Sequence, residues 1–314
     1  MELRIPSGES AATVEAGGRS IGLTNLNKIY FPRLGLTKGD LLRYYAAIAP
    51  TLVPQVDGKA VVMKRYPDGV TGNFFYMKRA PSPRPDWVRT CPIEHGSGSV
   101  IDFAVVDDVA SLLWLINLGC IDLNPWYAPC GEPDRPEYLH FDLDPTPDTP
   151  FAAVREAALI VGDVLRGLGM TPFVKTSGAE GMHIYVAIRS GPSQREVWQV
   201  SKEIGHAMAR AHPDVLTVVY RVAERPSRRV LVDYNQNAFG KTLASVYSVR
   251  PNEAATVSMP VTWDEVRDGC EPEDFTMVNV PQRVAQTGDL WKPLLLKRGR
   301  FDLAAYPRTA HARV

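Results

Sequence analysis

Short alternating or β-branched runs at 60–63, 100–105, 139–143, 173–176, 183–188, 215–221 and 230–234 are interrupted by long stretches of helical period at 151–168 and 193–211. Strands interleaved with long helices restrict the chain to sheets layered with helices, an α/β or α+β fold. A further helix is expected behind Thr37, a good N-cap, because Leu41, Leu42, Tyr45, Ile48, Ala49 and Leu52 repeat at helical spacing. Residues 1–20, rich in Gly, Ser and Ala, are expected to form a loosely held extension with a short strand at its end. Pro81-Ser-Pro-Arg-Pro85 reads as a rigid surface connection and the basic string 221–229 as a mobile loop.

With 45% hydrophobic and 22% charged residues, a chain of 314 residues can bury a sizeable core, as one large domain or two intimate subdomains. Its longest apolar stretches, such as 104–106 and 112–116, fall far short of the ~20 residues of a membrane span. Cys91, Cys120, Cys130 and Cys270 lie too far apart for a paired zinc site, and no secretory apolar core is present. A cytoplasmic protein with reduced thiols and no membrane partner is expected.

The most chemically suggestive string is Tyr138-Leu-His-Phe-Asp-Leu-Asp-Pro145. Successive side chains of a strand point to opposite faces, so Asp142 and Asp144 project from the same one. Two carboxylates held that way suit Mg²⁺ or Mn²⁺ that is also coordinated by phosphate oxygens. They equally suit the exposed end of a strand before a proline turn. Asp233, at the end of the apolar run Val230-Leu-Val-Asp233, supplies a third acid. Together the three suit a two-metal arrangement, in which a hydroxyl is activated and a triphosphate neutralised.

Two segments are candidates for phosphate. Lys175-Thr-Ser-Gly-Ala-Glu-Gly-Met-His183 leaves a strand, turns through glycines and re-enters a strand, so Ser177, His183 and turn N–H groups can offer donors at close range. A plain hairpin turn would use the same residues. Lys241 and Arg250 follow Asp233 and can reach the outer phosphates of a nucleotide placed over the acids.

The formal net charge is zero, which excludes a chain basic all over, but the charge is unevenly spread. Residues 24–90 hold eleven Lys and Arg against four acids, +7, while 91–148 hold eleven acids against Arg135 alone, −10. That asymmetry fits a cationic surface for a polyanion beside an anionic metal site. Within the basic window Lys64-Arg-Tyr66 and Asn73-Phe-Phe-Tyr-Met-Lys-Arg79 interleave cations with rings, a pattern that tracks phosphates and stacks bases. At least one of Phe74, Phe75 and Tyr76 is expected in the core.

Seven separated motifs together resemble the polymerase domain of bacterial DNA ligase D, a branch of the archaeo-eukaryotic primase superfamily. They are Leu26-Asn-Lys-Ile-Tyr-Phe-Pro32, Thr37-Lys-Gly-Asp40, Arg65-Tyr-Pro-Asp-Gly69, Phe141-Asp-Leu-Asp-Pro145, Thr176-Ser-Gly178 with Gly181-Met-His183, Val232-Asp-Tyr234, and Tyr247-Ser-Val-Arg250. The resemblance implies a primase-like catalytic core of mixed and antiparallel sheets flanked by helices, in which Asp142, Asp144 and Asp233 hold one or two Mn²⁺ or Mg²⁺ ions. It implies that Ser177, His183, Lys241 and Arg250 contact the triphosphate of an NTP or dNTP, ribonucleotides being preferred. Asn25, Lys28 and Lys38 match the family's pocket for a downstream 5′-phosphate, and Lys64, Phe74 and Phe75 its positions near the template or base. Where members often carry a lysine, this chain has Glu180, which would either weaken triphosphate binding or shift the load to Lys175; where many carry a histidine, it has Asn124.

The function so implied is addition of nucleotides to a 3′-hydroxyl at DNA gaps or double-strand breaks, in non-homologous end joining. A DNA-end binding module without turnover and a de novo primase are the alternatives. Further partners would be a DNA ligase and an end-binding protein, met on the nucleoid. The expected layout is an N-terminal extension over 1–20, a primase-polymerase domain over 21–300 and a tail over 301–314. Within that domain, a DNA-binding part covers about 21–135 and a catalytic part about 136–300. No ligase or phosphoesterase domain fits within the 314 residues, so a stand-alone polymerase domain is expected.

Overall fold

Gly17 and Gly18, with φ of +59° and +76°, turn the chain between β1 (Ala11–Ala16) and β2 (Arg19–Thr24), which pair antiparallel along their whole length. Residues without a Cβ take two such φ values in succession without strain, so the strand expected at the end of the extension is one arm of a hairpin with a two-residue turn. The computed structural model describes residues 4–94 and 98–306; of the expected tail over 301–314, residues 307–314 lie outside the described ones. The chain clusters into two units. One comprises Met1–Gly131, Thr242–Ser258 and Phe275–Asp289, the other Glu132–Lys241, Met259–Asp274 and Leu290–Val314.

In the first unit β3 (Ile29–Phe31) and β4 (Leu36–Thr37) lead into α1 (Lys38–Val56). Thr37 caps α1 as its position predicts, accepting from the Asp40 N–H at 3.1 Å while the Asp40 carboxylate accepts from the Thr37 N–H at 2.7 Å. The periodic residues Leu41, Leu42, Tyr45, Ile48, Ala49 and Leu52 are all buried. A five-stranded antiparallel sheet follows from β5 (Lys59–Arg65), β6 (Phe75–Met77), β7 (Thr90–Glu94), β8 (Val100–Val105) and, after α2 (Val109–Asn117), β9 (Cys120–Pro129). β5 is its hub, pairing with β6, β8 and β9. Cys91 and Cys130 form a disulfide, so the expectation of reduced thiols holds only for Cys120 and Cys270. The two sulfurs meet because β7 and the end of β9 converge on one apolar cluster around Phe103 and Trp126.

The second unit is built on a six-stranded sheet of order β13-β14-β10-β12-β11-β15. Its elements are β10 (Tyr138–Pro145), α3 (Phe151–Gly167), β11 (Pro172–Thr176), β12 (Met182–Ala187), α4 (Gln194–Ala211), β13 (Leu216–Thr217), β14 (Val230–Asp233), β15 (Pro260–Val261) and α5 (Trp263–Asp268). All pairs are antiparallel except β13 with β14. The strand expected over 215–221 shrinks to two residues, because the Thr217 hydroxyl accepts from the Val219 N–H and turns the chain out of the sheet. α3 packs on β10, β11 and β12, and α4 on β10, β13 and β14. Phe141 meets α4 at Gly205, so the alternate residues Asp142 and Asp144 face away from that helix. No helix among the described residues is long and apolar enough to cross a membrane.

Candidate functional site

Strand register draws four polar residues into one row across the second unit's sheet. Lys175 of β11 is paired with His183 of β12, His183 with Asp142 of β10, and Asp142 with Asp233 of β14. Directly paired residues point to the same face, so all four share the side opposite the Phe141 face. Asp144, two residues beyond Asp142, joins them, and Asp142, Asp144 and Asp233 each offer a carboxylate oxygen within 4.8 Å of the others. Asp142 and Asp233 are buried, and Asp142 Oδ1 lies 3.2 Å from His183 Nε2.

Such crowding is electrostatically costly without a counter-charge. Burial, then Asp142 and Asp233, push the Asp144 carboxyl up to about 7. Burial also raises Asp233, against the hydrogen bond it accepts from the Asn235 N–H at 2.8 Å. Gln236 Nε2 donates to the other Asp233 oxygen at 2.9 Å, fixing its orientation. Arg225 acts on Asp144 and Lys241 on Asp233, while exposed Glu180 adds to the repulsion on Asp144. This is a donor set that fits hard divalent cations: carboxylate oxygens close together.

The turn between β11 and β12 is drawn in beside these acids. Ser177 Oγ accepts from the N–H groups of Ala179 and Gly181, each at 3.1 Å, which leaves its own proton to donate. Asn237 binds His140 of β10 through both its amide groups, at 3.1 and 2.6 Å, as a further strand would. That bond pair anchors the loop that carries Lys241.

The remaining sequence-expected residues belong to the first unit. The N–H of Lys28 donates to the Asn25 carbonyl and that of Lys38 to the Lys28 carbonyl, bringing the three residues of the expected 5′-phosphate pocket together. Lys38 is buried and donates to the Thr24 carbonyl at 2.7 Å and Asn117 Oδ1 at 2.8 Å. Burial, then Lys28 and Arg65, push its ammonium down to about 8. Phe74, Phe75 and Tyr76 are 50%, 43% and 65% exposed, so none is the core residue expected among them. The short edge strand β6 offers no covering layer, and the Phe74 ring packs instead 4.2 Å from Lys64 Nζ. Arg250 also lies in this unit, with Nη1 3.7 Å from Asp122 Oδ2.

A family model described as LigD, primase-polymerase domain, matches residues 37–291. The chain belongs to this family. Among curated LigD primase-polymerase relatives, a multifunctional non-homologous end joining DNA repair protein LigD of Mycobacterium tuberculosis is 30% identical over 287 residues, covering 89% of this chain and 37% of that protein. A bifunctional non-homologous end joining protein LigD of Bacillus subtilis is 31% identical over 266 residues, covering 84% and 42%. The chain thus spans well under half the length of these relatives. The polymerase domain of M. tuberculosis ligase D, solved in complex with DNA, superposes with a TM-score of 0.82 at 28% identity, covering 88% of this chain and 98% of that one. The mixed α/β architecture with antiparallel sheets is therefore that of the LigD polymerase domain.

Within this LigD primase-polymerase chain, the sequence singled out neither Arg225 and Gln236, which act on the carboxylates of the second unit, nor Asp122, which lies beside Arg250 in the first. Arg225 sits in a string that reads as a surface loop, and Gln236 carries no chemistry of its own. Asp122 did leave a signal, an acid inside the apolar run Cys120-Ile-Asp-Leu123, where Asp is disfavoured in a strand.

Proposed function

We propose that the protein is a DNA-repair nucleotidyltransferase, adding nucleotides to a 3′-hydroxyl at gaps or broken ends that present a downstream 5′-phosphate, with ribonucleotides preferred. The three carboxylates gathered on one sheet face in a chain of this family carry the reading. Asp142, Asp144 and Asp233 would hold one or two Mn²⁺ or Mg²⁺ ions, whose chemistry is to activate the primer hydroxyl and neutralise the triphosphate. His183 and the two acceptor-side bonds of Asp233 keep those carboxylates in place. Ser177, Lys175 and Lys241 supply donors and positive charge to phosphate oxygens, and Arg250 serves as a phosphate contact on the first unit. Lys64 presents a cation under the exposed Phe74 ring, and Phe75 a second exposed ring over Arg65, both suited to a template strand or base. The reaction belongs in the bacterial cytoplasm on nucleoid DNA, with a DNA ligase and an end-binding protein as partners. The names of the relatives support that setting.

Primer extension on a gapped duplex with Mn²⁺ tests the reading. NTPs are expected to be incorporated faster than dNTPs, and a 5′-phosphate at the gap to tighten binding. Binding to phosphorylated gaps with no incorporation under any divalent ion would favour an end-binding module instead, the reading that the departures at Glu180 and Asn124 motivate. Dinucleotide synthesis on unprimed single strands would favour a primase.

The Lys38 ammonium gives the 5′-phosphate pocket a pH signature. A bound phosphate dianion offsets the repulsion from Lys28 and Arg65, so the pKa of Lys38 rises from about 8 on binding. Affinity for the phosphorylated end is therefore full below pH 8 and falls above it, by at most about tenfold per pH unit. The same DNA carrying a 5′-hydroxyl should show no such slope in a binding titration between pH 7 and 9.5. Equal slopes for the two ends would remove Lys38 from the pocket.

A further inference from the structure

The first unit contains a second polar row. Tyr76 of β6 is paired with Lys64 of β5, and Lys64 with Asp122 of β9. Exposure falls inward along it, from 65% at Tyr76 through half-buried Lys64 to 2% at Asp122. Around Lys64 Nζ stand the rings of Phe74, Tyr66 and Tyr76, at 4.2, 5.3 and 5.8 Å.

Asp122 at the inner end is incompletely paired. Its Oδ2 is 3.7 Å from Arg250 Nη1, beyond hydrogen-bond reach, and its Oδ1 is buried without a hydrogen-bond partner. Arg250 Nε is buried without one as well. A structural Arg–carboxylate pair would close into two parallel hydrogen bonds. Here one carboxylate is shared between two cations, and Arg250, Lys64 and then the Asn124 amide act on its ionisation against the burial that raises it. Two cations and one acid leave a charge of one plus for an anion to balance.

The backbone around Arg250 is held firmly for this purpose. Tyr247, fully buried, adopts φ +61°, a left-handed conformation that a non-glycine residue keeps only when its surroundings enforce it. Those surroundings are the Tyr44 hydroxyl on its carbonyl at 2.7 Å and its own hydroxyl donating to Asp289 at 2.6 Å. The next residues are tied to β9 beside Asp122: the Leu123 N–H donates to Ser248 Oγ at 2.8 Å and the Ser245 N–H to the Leu123 carbonyl at 2.8 Å. The Tyr247-Ser-Val-Arg250 motif is thus a buried staple that presents Arg250 to Asp122.

We propose that Asp122 is a positioning residue, whose buried carboxylate holds Lys64 and Arg250 side by side as a receptor for a phosphate group of a nucleotide or a nucleic-acid strand. Asp122 does not touch that phosphate; like charge and burial keep it behind the two cations. The choice of ligand rests on the polymerase reading, and the geometry does not.

Asp122→Asn tests it, because a positioning acid and a mere counter-charge give opposite signs. Removing a counter-charge raises the local positive charge and tightens anion binding. Removing the group that aims Arg250 and Lys64 weakens it, by about tenfold for the loss of one charge-assisted hydrogen bond to phosphate. Binding is measured without turnover, by calorimetry, for Mg²⁺-ATP in one arm and a short single-stranded oligonucleotide in the other. A roughly tenfold loss in one arm names the source of the phosphate; unchanged or tighter binding in both overturns the proposal. If Asp122→Asn folds poorly, Asp122→Glu decides, because it keeps the counter-charge and moves only the carboxylate: a positioning acid still loses about tenfold, and unchanged binding overturns the proposal. Asp122→Asn should add less than about twofold in the Arg250→Gln background if it acts through that arginine, and undiminished additivity overturns the idea. Wild-type protein that binds phosphate but never extends a primer would sink the polymerase reading while leaving this one standing. An active wild type whose Asp122→Asn variant binds and extends unchanged would do the reverse.

Discussion

Asp144→Asn is expected to abolish nucleotide addition, on the order of 10³-fold or more, while raising the melting temperature of the metal-free protein. The activity loss follows from removing one of the three proposed ligands, in a site whose proposed work is several kcal/mol of charge stabilisation. The stability gain follows from the crowding of the carboxylates. In the folded protein the Asp144 carboxyl is pushed up to about 7, from an ordinary value of 3.8. Between those two pH values the folded state binds more protons than the unfolded state, so stability falls as pH rises through that window. The penalty is fully present above pH 7 and absent below about pH 4. Asparagine removes it, so the variant should melt about 2–4 °C higher at pH 8 and indistinguishably from wild type at pH 4, for a stability change of ~1–2 kcal/mol. The proton is shared within the Asp142, Asp144 and Asp233 cluster, so Mn²⁺ binding should release close to one proton at pH 6 and none at pH 8.5. Calorimetry in buffers of different ionisation enthalpy reads that difference. A variant that extends primers within tenfold of wild type would end the metal assignment.

These three aspartates were legible because strand geometry is strict: a two-residue period puts Asp142 and Asp144 on one face whatever the rest of the fold does. Asp233 was legible only by combination, since nothing local says which strand end will pair with β10. The cap at Thr37 was legible for the same local reason, bonding to the third residue of its helix, and Ser193 caps α4 in the same way without having been singled out. By contrast α2 is buried nearly all round and shows no apolar stripe, so no period announces it. β9 carries Asp122, Asn124, Pro125 and Pro129, each of which argues against a strand, yet it is the longest strand described.

Charge was legible in amount but not in placement. The acids of the −10 window do not all belong to the proposed metal site. Asp102 pairs with Arg79 and Asp107 with Arg89, so part of the acidic window neutralises cations of the basic one within the first unit. Asp108 pairs with Arg19 in the same unit. Asp122 is buried between two cations. Only strand pairing reveals this, because a window count along the chain ignores which segments fold back on each other. The +7 stripe is accordingly less cationic than its sequence suggests, and its free positive charge is concentrated at a few side chains.

Gly181→Ala is expected to cost about a hundredfold in nucleotide addition although no functional atom is removed. A Cβ at Gly181 would lie 2.4 Å from the Leu143 carbonyl oxygen of β10 and 3.7 Å from Asp144 Oδ1. The first obstacle is backbone, so no side chain can swing aside. Gly181 itself is held by Ser177, through the bond from its N–H to Oγ at 3.1 Å and the bond from the Ser177 N–H to its carbonyl at 2.9 Å. Relief therefore comes from separating the start of β12 from β10, or from moving the peptide between Leu143 and Asp144. Either displaces a carboxylate whose neighbours lie within 4.8 Å. A misplacement of ~1 Å is worth about 10²-fold in rate, and overpacking costs about 1–3 kcal/mol in stability. Weakened Mn²⁺ binding should accompany the loss, since the same peptide carries the ligand. Gly22→Ala is the control: its Cβ meets nothing within 4 Å, and both activity and melting temperature should stay at wild-type values. If Gly181→Ala extends primers within twofold of wild type, the spacing between β10 and β12 does not set the position of Asp144.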